Sequence, residues 1–316
     1  MNKILIKNNV CWHYEVIESA IVKYDKFLKI KKSKNDIIFL CIEKDYQISP
    51  PNLNYDSFIS YITKKYSNVF ILENDNQKFD YEIHCTITSN NFNKTFGGLR
   101  VENMIDVKNI AYISHDVDDD ILSFSNTLFL SKMDDRIPDD RVISTDILPF
   151  MESKKISTIP IFIIQGSLDM AILNNTKNYS LLNQILNDKY DKDFIIKIIG
   201  RSSLSNTDIL KYFSNFIPNN ENLSKIRIMS NLNWEDYHKQ FIDAYSIIPL
   251  VSKDQQNMYY STKVTSSINY GKAYKLKFLV DEEFSNIYNI NDISYIYNSN
   301  NIQDKFKLML DDFYRI

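Results

Sequence analysis

The segment IIPLVSKDQQNMYYSTKVTSSINYGKAYKLKFLVD, residues Ile247–Asp281, decides the fold of this chain. It starts with an apolar run that is typical of a buried strand and continues into a polar loop. A short helix is predicted to start near Thr262, and a second apolar strand follows over Leu276–Val280. A strand, a crossover helix and a second strand form a β-α-β unit, which belongs to a parallel sheet.

The start of this helix predicts an anion-binding site. The first turn of a helix has unpaired N–H donors and carries the positive end of the helix dipole. Hydroxyl groups and one lysine at that position suit a phosphate or a diphosphate, whereas an ordinary N-cap rich in Ser and Thr explains the same residues equally well. The residues concerned are Ser261, Thr262, Lys263, Thr265, Ser266 and Ser267.

Length and composition indicate a globular protein of about two domains. The 316 residues are 44% hydrophobic, enough to bury a substantial core, and the net charge of −3 argues against a general binder of nucleic acids or anionic membranes. No apolar stretch approaches the roughly 20 residues that span a bilayer. Cys11, Cys41 and Cys85 form no CxxC pair, so we expect a reducing compartment, the cytoplasm.

Glycine is scarce, with 5 residues, whereas Asn, Ile, Lys and Tyr are abundant. This bias is typical of AT-rich genomes, such as those of some large DNA viruses or protists, and a viral source would place the protein in the host cytoplasm. The shortage has a mechanistic consequence, because neither a G-x-G-x-x-G motif nor a Walker A motif is present. Phosphate binding therefore has to use helix N-termini and side chains.

Strand-like and helix-like segments alternate along both halves of the chain, which predicts parallel sheets with helices on both faces. We therefore expect two tandem Rossmann-like α/β domains, over residues 1–150 and 151–300, with the boundary in a polar, proline-punctuated stretch. Residues 301–316 are predicted to form a helix that packs back toward the N-terminal domain. The clearest predicted helices are Tyr14–Phe27, Tyr55–Tyr66, Tyr179–Lys189, Trp234–Ala244 and Ile302–Tyr314.

Four segments of the second half, in the expected order, carry a resemblance to the nucleotide-sugar-binding domain of GT-B glycosyltransferases. They are IPIFIIQGSL (Ile159–Leu168), FIIKIIGR (Phe194–Arg201), IRIMSNLNWEDYHKQFIDAYSIIPLVS (Ile226–Ser252) and YYSTKVTSSINYGKAYKLKFLVD (Tyr259–Asp281). The first half matches only in its general rhythm of strands and helices. The glycine-rich, Glu-rich donor loop of the commonest family pattern is missing from this sequence.

The resemblance implies a sugar transferase. Such enzymes move a sugar from a UDP-, GDP- or TDP-linked donor to a glycan or another hydroxyl acceptor, which the N-terminal domain binds. The donor is a substrate, so no cofactor is expected, and nucleic acid is not an expected partner. In this chain Lys263 and the hydroxyls of Thr265, Ser266 and Ser267 would take the place of the missing donor loop.

Further donor-binding residues are predicted at the carboxyl ends of the C-terminal strands, where ligands of open α/β sheets bind. The loop after the first strand offers N–H groups and side chains to a phosphate, or forms a plain turn. An arginine at the tip of the second strand suits bidentate pairing with a diphosphate, or is an exposed surface charge. A loop before the helix at Trp234 offers backbone groups to a nucleobase, although an N-cap at Asn233 explains it equally well. The residues of these three loops are Gln165, Gly166 and Ser167, then Arg201, then Asn231 and Leu232.

An inverting transfer needs a general base that deprotonates the acceptor hydroxyl. His115, directly followed by Asp116 at the end of an apolar strand, is the sharpest candidate, because a neighbouring carboxylate can orient a histidine. The alternative is a structural histidine beside an exposed acidic loop. His13, between Trp12 and Tyr14, is a second candidate, and this aromatic cluster suits stacking on an acceptor sugar.

Other functions stay open at this point. Asp116 and Asp118 form a D-x-D pair after a strand, the feature with which GT-A glycosyltransferases hold a divalent metal ion and a donor diphosphate. That alternative leaves the strand and helix series of the second half unexplained. A non-catalytic binding or scaffold protein with the same fold is a second alternative, and an epimerase that uses the same donor is a third.

Overall fold

The computed structural model describes most of the chain, and the structural statements below concern the described residues. The chain divides into two compact units. The first comprises Met1–Leu148 with Ser261–Val264, and the second comprises Pro149–Tyr260 with Thr265–Ile316. The described residues are 1–8, 14–42, 53–73, 76–87, 104–114, 117, 119–130, 135–143, 157–166, 168, 177–214, 220–261, 264–298 and 300–315.

The first unit contains a sheet of six parallel strands. The strands are β1 (Lys3–Asn8), β2 (Ile37–Ile42), β3 (Val69–Ile71), β4 (Tyr81–Ile87), β5 (Ile110–Ser114) and β6 (Thr127–Phe129), and the helices are α1 (Tyr14–Phe27), α2 (Leu53–Lys65) and α3 (Asp119–Leu122). The strand order is β3-β2-β1-β4-β5-β6. Consecutive residues Ile4, Leu5 and Ile6 of β1 are all buried, which means that both faces of the sheet are covered.

The second unit contains another sheet of six parallel strands. Its strands are β7 (Ile161–Gln165), β8 (Ile195–Gly200), β9 (Ile226–Ser230), β10 (Ser246–Ile247), β11 (Lys277–Asp281) and β12 (Ser294–Tyr297). Its helices are α4 (Tyr179–Leu186), α5 (Asn206–Ser214), α6 (Asn220–Leu223), α7 (Trp234–Ile242), α8 (Lys253–Gln256), α9 (Met258–Ser261), α10 (Ser266–Ala273), α11 (Glu282–Tyr288) and α12 (Ile302–Arg315).

Both sheets have the strand order of the doubly wound Rossmann fold. The second sheet runs β12-β11-β10-β7-β8-β9, so the chain moves outward in one direction from β7 and then returns to start again at β10. Where the connections after two neighbouring parallel strands run toward opposite edges of the sheet, a crevice forms at the carboxyl ends of these strands, and ligands of this fold bind there. The prediction of two Rossmann-like α/β domains with parallel sheets is thereby confirmed. In the second sheet the ends of β7 and β10 border the crevice.

The segment after β10 differs from its sequence prediction in one respect. The predicted single helix near Thr262 is replaced by two short helices, α8 and α9, and by α10, which begins only at Ser266. Thr265 caps α10, because its side-chain oxygen accepts a hydrogen bond from the Ser267 N–H. Thr262 and Lys263 lie outside the described residues.

The terminal helix α12 covers residues Ile302–Arg315, where the sequence predicts a helix. Its buried residues Ile302, Phe306, Met309 and Leu310 belong to the hydrophobic core of the second unit. The Phe306 ring lies with its centroid 4.6 Å from that of Phe162 on β7. The helix therefore packs its apolar face onto the core of the second unit, which offers a large aromatic and aliphatic surface. The predicted packing toward the N-terminal domain stays a prediction.

Candidate functional site

The carboxyl end of β7 is joined to the first turn of α10. Gln165 is the last residue of β7, and its Nε2 donates a hydrogen bond to the Oγ of Ser266 over 2.9 Å. Ser266 is the first residue of α10, which follows β10 in the chain. The two elements on either side of the crevice between β7 and β10 therefore meet through two side chains that the sequence predicted for a donor site.

Two buried polar atoms at this junction lack a hydrogen-bond partner within the described residues. They are the Oε1 of Gln165, whose residue is 4% exposed, and the Oγ of Ser267, whose residue is 1% exposed. An unpaired buried polar group costs about 1–3 kcal/mol, so such groups usually have a partner. The amide oxygen suits a hydroxyl donor of a ligand, and the serine hydroxyl is able to donate to an anion.

The N-terminus of α10 provides the electrostatic part of the site. Thr265 has an extended backbone and caps the helix, and the Ile268 N–H donates to the Thr265 carbonyl over 3.1 Å. The first N–H groups of α10 thus begin next to Gln165, with the positive end of the helix dipole behind them. A helix start of this kind stabilises phosphate groups.

Two of the five glycines of the chain allow a close crossing beside Gln165. Gly166 has a φ of +148°, and its N–H donates to the Ile199 carbonyl over 3.1 Å. A Cβ atom on Gly200 would lie 1.6 Å from the Gly166 carbonyl oxygen, so only glycine fits there. The chain after β7 therefore passes directly over the end of β8.

A buried lysine lies under the Gly166 turn. The Nζ of Lys177 donates to the Pro249 carbonyl over 2.7 Å, and its Cε lies 3.0 Å from the point where a Cβ on Gly166 would be. Burial lowers the pKa of Lys177 from 10.5 to about 8. No carboxylate among the described residues pairs with it, and burial by itself explains the lowered pKa. The sequence contains no local pattern that singles out this lysine.

The side-chain amide of Asn231 connects the loop after β9 to the loop after β8. Asn231 has a φ of 55°, its Nδ2 donates to the Ser202 carbonyl over 2.8 Å, and its Oδ1 accepts from the Ser202 N–H over 3.1 Å. Leu232 is half-buried beside it, and Arg201 is exposed without an ion pair in the described part of the chain. Asn233 is the N-cap of α7, since its Oδ1 accepts from the Asp236 N–H. The side chain of Asn231 is thus occupied, while the Arg201 guanidinium is available.

Several predicted residues lie outside the described part of the chain. They are the candidate bases and their partner, His13, His115 and Asp116, the second aspartate of the D-x-D pair, Asp118, and the donor-site residues Ser167 and Lys263. Strand β5 ends at Ser114, one residue before His115. The roles of these residues stay predictions.

Comparison with known proteins defines the class of fold. No family model matches the sequence, and no curated protein matches it. The structure is similar to that of AviGT4, a glycosyltransferase of avilamycin A biosynthesis, with a TM-score of 0.51 and 8% identity over 100% of this chain and 91% of that one. It is also similar to a UDP-GlcNAc 2-epimerase of Neisseria meningitidis that was solved with UDP-GlcNAc, with a TM-score of 0.50 and 12% identity over 99% and 93% of the two chains.

A third similar structure is that of MnaA of S. aureus with UDP, with a TM-score of 0.50 and 11% identity over 99% of this chain and 89% of that one. At these identities the likeness establishes the fold alone. The chain has the two-domain, Rossmann-like GT-B fold, which glycosyltransferases and UDP-GlcNAc 2-epimerases share. Within the described residues no helix is long and apolar enough to cross a membrane, and no group of three His, Cys, Asp or Glu residues is placed to hold a metal ion.

Proposed function

We propose that this protein is a glycosyltransferase that takes its sugar from a nucleotide-diphosphate sugar. The observation that supports this most strongly is the junction of Gln165 with Ser266 at the crevice between β7 and β10. The helix N-terminus lies there together with a hydroxyl and an amide oxygen that lack a partner among the described residues, and the buried Lys177 lies beside the adjacent Gly166. A diphosphate attached to a polyhydroxyl sugar is the ligand that such a set of groups complements.

Each group has a separate role toward the donor in this proposal. The N–H groups and hydroxyls of Thr265, Ser266 and Ser267 hold the diphosphate, and Lys177 and Lys263 offset its negative charge. The Oε1 of Gln165 accepts a hydrogen bond from a donor hydroxyl. The N–H groups of Gly166 and Ser167 and the guanidinium of Arg201 extend the phosphate contacts, and the backbone at Asn231 and Leu232 borders the nucleobase.

The transfer step follows from these roles. His115, oriented by Asp116, takes the proton of the acceptor hydroxyl, and His13 is the second candidate base. The acceptor oxygen then forms a bond to the anomeric carbon of the sugar, and the bond from that carbon to the diphosphate oxygen breaks. The nucleoside diphosphate leaves with the bonding electron pair. Its new negative charge is stabilised by the first turn of α10 and by the nearby lysines, and no metal ion is required.

An epimerase is the second candidate function. One of the similar structures is a UDP-GlcNAc 2-epimerase that was solved with UDP-GlcNAc, and another, MnaA, was solved with UDP. Both reactions start with a bound nucleotide sugar, so the same crevice serves either one. The products distinguish them, because an epimerase returns an isomerised nucleotide sugar without any acceptor, whereas a transferase releases the nucleoside diphosphate and a glycosylated acceptor.

Calorimetric titration of the full chain with UDP, GDP and TDP, and then with their sugars, tests the proposal. We expect one nucleotide to bind, and Lys263→Ala to weaken its binding by about 10-fold or more, because a charge-assisted contact is lost. Lys31→Ala, which removes an exposed lysine, is the matched control. Absence of binding for every nucleotide and sugar contradicts the proposal, while binding without turnover toward any acceptor favours the scaffold alternative. The cytoplasmic location and the viral source stay predictions from composition.

A further inference from the structure

Helix α10, whose first turn meets Gln165, is too short to hold its position by itself. It comprises the 8 residues Ser266–Ala273, and its serines, its asparagine and its glycine lower the helix propensity. Isolated helices of fewer than about 12 residues are marginal in water, so α10 depends on the elements that pack against it. The contacts on its sides therefore decide where the hydroxyls of Ser266 and Ser267 lie.

A glycine fits one side of α10 to the sheet. Gly271 follows Ser267 by one helical turn, so the two residues lie on the same face of the helix. A Cβ atom on Gly271 would lie 2.1 Å from the Cζ of Phe278 on β11 and 2.9 Å from the Cγ2 of Ile247 on β10. Glycine inside a helix is unfavourable, so the close approach to the two strands is what it provides here.

Aromatic side chains of α7 pack against a second side of α10. The Phe241 ring stacks on Tyr270 with centroids 4.9 Å apart and on Tyr274 with centroids 5.2 Å apart, and both interplanar angles are 20°. All three rings are buried. Apolar contact is not directional, and stacked rings are attractive over a range of offsets. These rings therefore hold α10 against α7 without fixing how far it slides along α7.

A buried hydrogen bond provides the directional contact. The Nδ1 of His238 on α7 and the hydroxyl of Tyr274, the residue that caps the end of α10, share a hydrogen bond over 2.5 Å. His238 is 1% exposed and Tyr274 is 7% exposed, so water has little access to either group. A hydrogen bond requires a short distance and a favourable angle, and it breaks when α10 shifts along its axis.

We propose that His238 and Tyr274 are positioning residues of the donor site. They hold the C-terminal end of α10 while Gly271 rests on the sheet, and they thereby keep Ser266 within hydrogen-bond distance of Gln165. The first N–H groups of the helix stay at the end of β7, where they face the diphosphate. The effect on the donor rests on the proposed function, whereas the position of α10 is a property of the free protein.

Variants of the full chain separate positioning from stability. Tyr274→Phe leaves the Nδ1 of His238 without this partner and should lower the melting temperature. It should also weaken, by about 10-fold, the binding of whichever of UDP, GDP and TDP the wild-type protein binds best. Combining it with His238→Phe removes both polar groups, which should restore most of the melting temperature but not the affinity, because the directional contact is still missing.

Met309→Ala is the matched control for lost stability. Met309 is fully buried on α12, and the described core cluster to which it belongs includes no residue of α10. The cavity left by the substitution should lower the melting temperature while the nucleotide affinity of the folded protein stays unchanged. Calorimetric titration well below the melting temperature of each variant measures the affinity.

Hydrogen exchange of the free protein provides a readout that needs no ligand. The Tyr274 N–H donates to the Tyr270 carbonyl over 3.0 Å, and the Leu276 N–H donates to the Gly271 carbonyl over 2.8 Å. Both amides should exchange about 10-fold faster in Tyr274→Phe and in the double variant than in the wild-type protein, because the end of α10 opens more often. The amides of α12 are the internal reference and should not change.

Unchanged exchange at the end of α10 overturns the inference. So does a nucleotide affinity that follows the melting temperature through all variants, Met309→Ala included, because that pattern means a structural role only. If the wild-type protein binds none of the three nucleotides, the proposed function fails, and the exchange rates alone decide whether His238 and Tyr274 fix α10. Circular dichroism confirms that each variant is folded.

Discussion

Gln165 and Ser266 are 101 residues apart in the sequence, and the Nε2 of the first donates to the Oγ of the second over 2.9 Å. This hydrogen bond connects the end of β7 to the first turn of α10, the two elements that border the crevice of the second sheet. It also orients the Gln165 amide, so that its Oε1 is left as an unpaired buried acceptor among the described residues. The predictions that follow test this junction and the structure that supports it.

Gln165→Ala should weaken the binding of the cognate nucleotide sugar by about 10-fold, because a ligand hydroxyl loses its acceptor and Ser266 loses its orientation. Binding of the nucleoside diphosphate without the sugar should change less. Calorimetric titration of both ligands measures the difference, with the exposed Ser60→Ala of α2 as the control. Equal losses for the two ligands would place Gln165 at the phosphate rather than at a sugar or ribose hydroxyl.

Lys177→Met should make the folded protein more stable near neutral pH while weakening diphosphate binding. The lysine is buried with a lowered pKa, so folding at pH 7 buries a charge that no described carboxylate pairs with, and methionine of similar length removes that penalty. Denaturant unfolding and nucleotide titration of the same two proteins provide the comparison. A variant that loses stability and keeps its affinity would assign Lys177 a purely structural role.

The pH dependence of stability provides a separate test of Lys177. Between about pH 8 and pH 10.5 the unfolded chain still holds a proton on this lysine that the folded protein has released, so the free energy of unfolding should rise with pH in that window. In Lys177→Met this rise should be smaller, because methionine binds no proton in either the folded or the unfolded state. Identical pH profiles of the two proteins would mean that Lys177 titrates normally in the folded state.

Gly200→Ala should destabilise the second unit by about 3 kcal/mol or more, because a Cβ atom would lie 1.6 Å from the Gly166 carbonyl oxygen. The strand end cannot move away without breaking the hydrogen bond from the Gly166 N–H to the Ile199 carbonyl. Thermal unfolding measures the loss, and nucleotide binding should decrease together with it. An unchanged melting temperature would disprove the close crossing.

Glu18→Gln should destabilise the first unit by about 2 kcal/mol or more. The buried Glu18 carboxylate accepts hydrogen bonds from the Tyr61 hydroxyl over 2.8 Å, from the Tyr66 hydroxyl over 3.1 Å and from the Lys65 Nζ over 3.0 Å. All three bonds reach the same oxygen, Oε1, and a neutral amide has no negative charge to offset the lysine. Urea unfolding checks the effect, and Glu73→Gln, which changes an exposed acid of the same unit, should have none.

His115→Ala or Asp116→Ala should lower the transfer rate by about 100-fold or more while the donor affinity stays the same, because a general base acts on the acceptor and not on the donor. His13→Ala tests the second candidate base in the same assay. A rate that none of the three substitutions changes would require a base elsewhere. A parallel loss of donor affinity would instead indicate a structural role.

The sequence was most informative where the signal is local. Helix α1 was predicted with its observed bounds, because the apolar spacing of Tyr14–Phe27 repeats with the period of a helix. Short elements such as β6 and β12, of three and four residues, were missed, since a few residues carry no measurable period. The start of α10 was placed four residues early, because Ser and Thr are favoured both as a cap and in the preceding loop.

By itself the sequence determined that the chain forms two parallel α/β domains and that a hydroxyl-rich helix start follows β10. Those properties depend on residue type and spacing within one segment. Only the tertiary structure decided that Ser266 contacts Gln165 and that Lys177 is buried beneath Gly166. Hydrogen bonding and burial depend on which distant segments the parallel sheet brings together, and no local pattern records that.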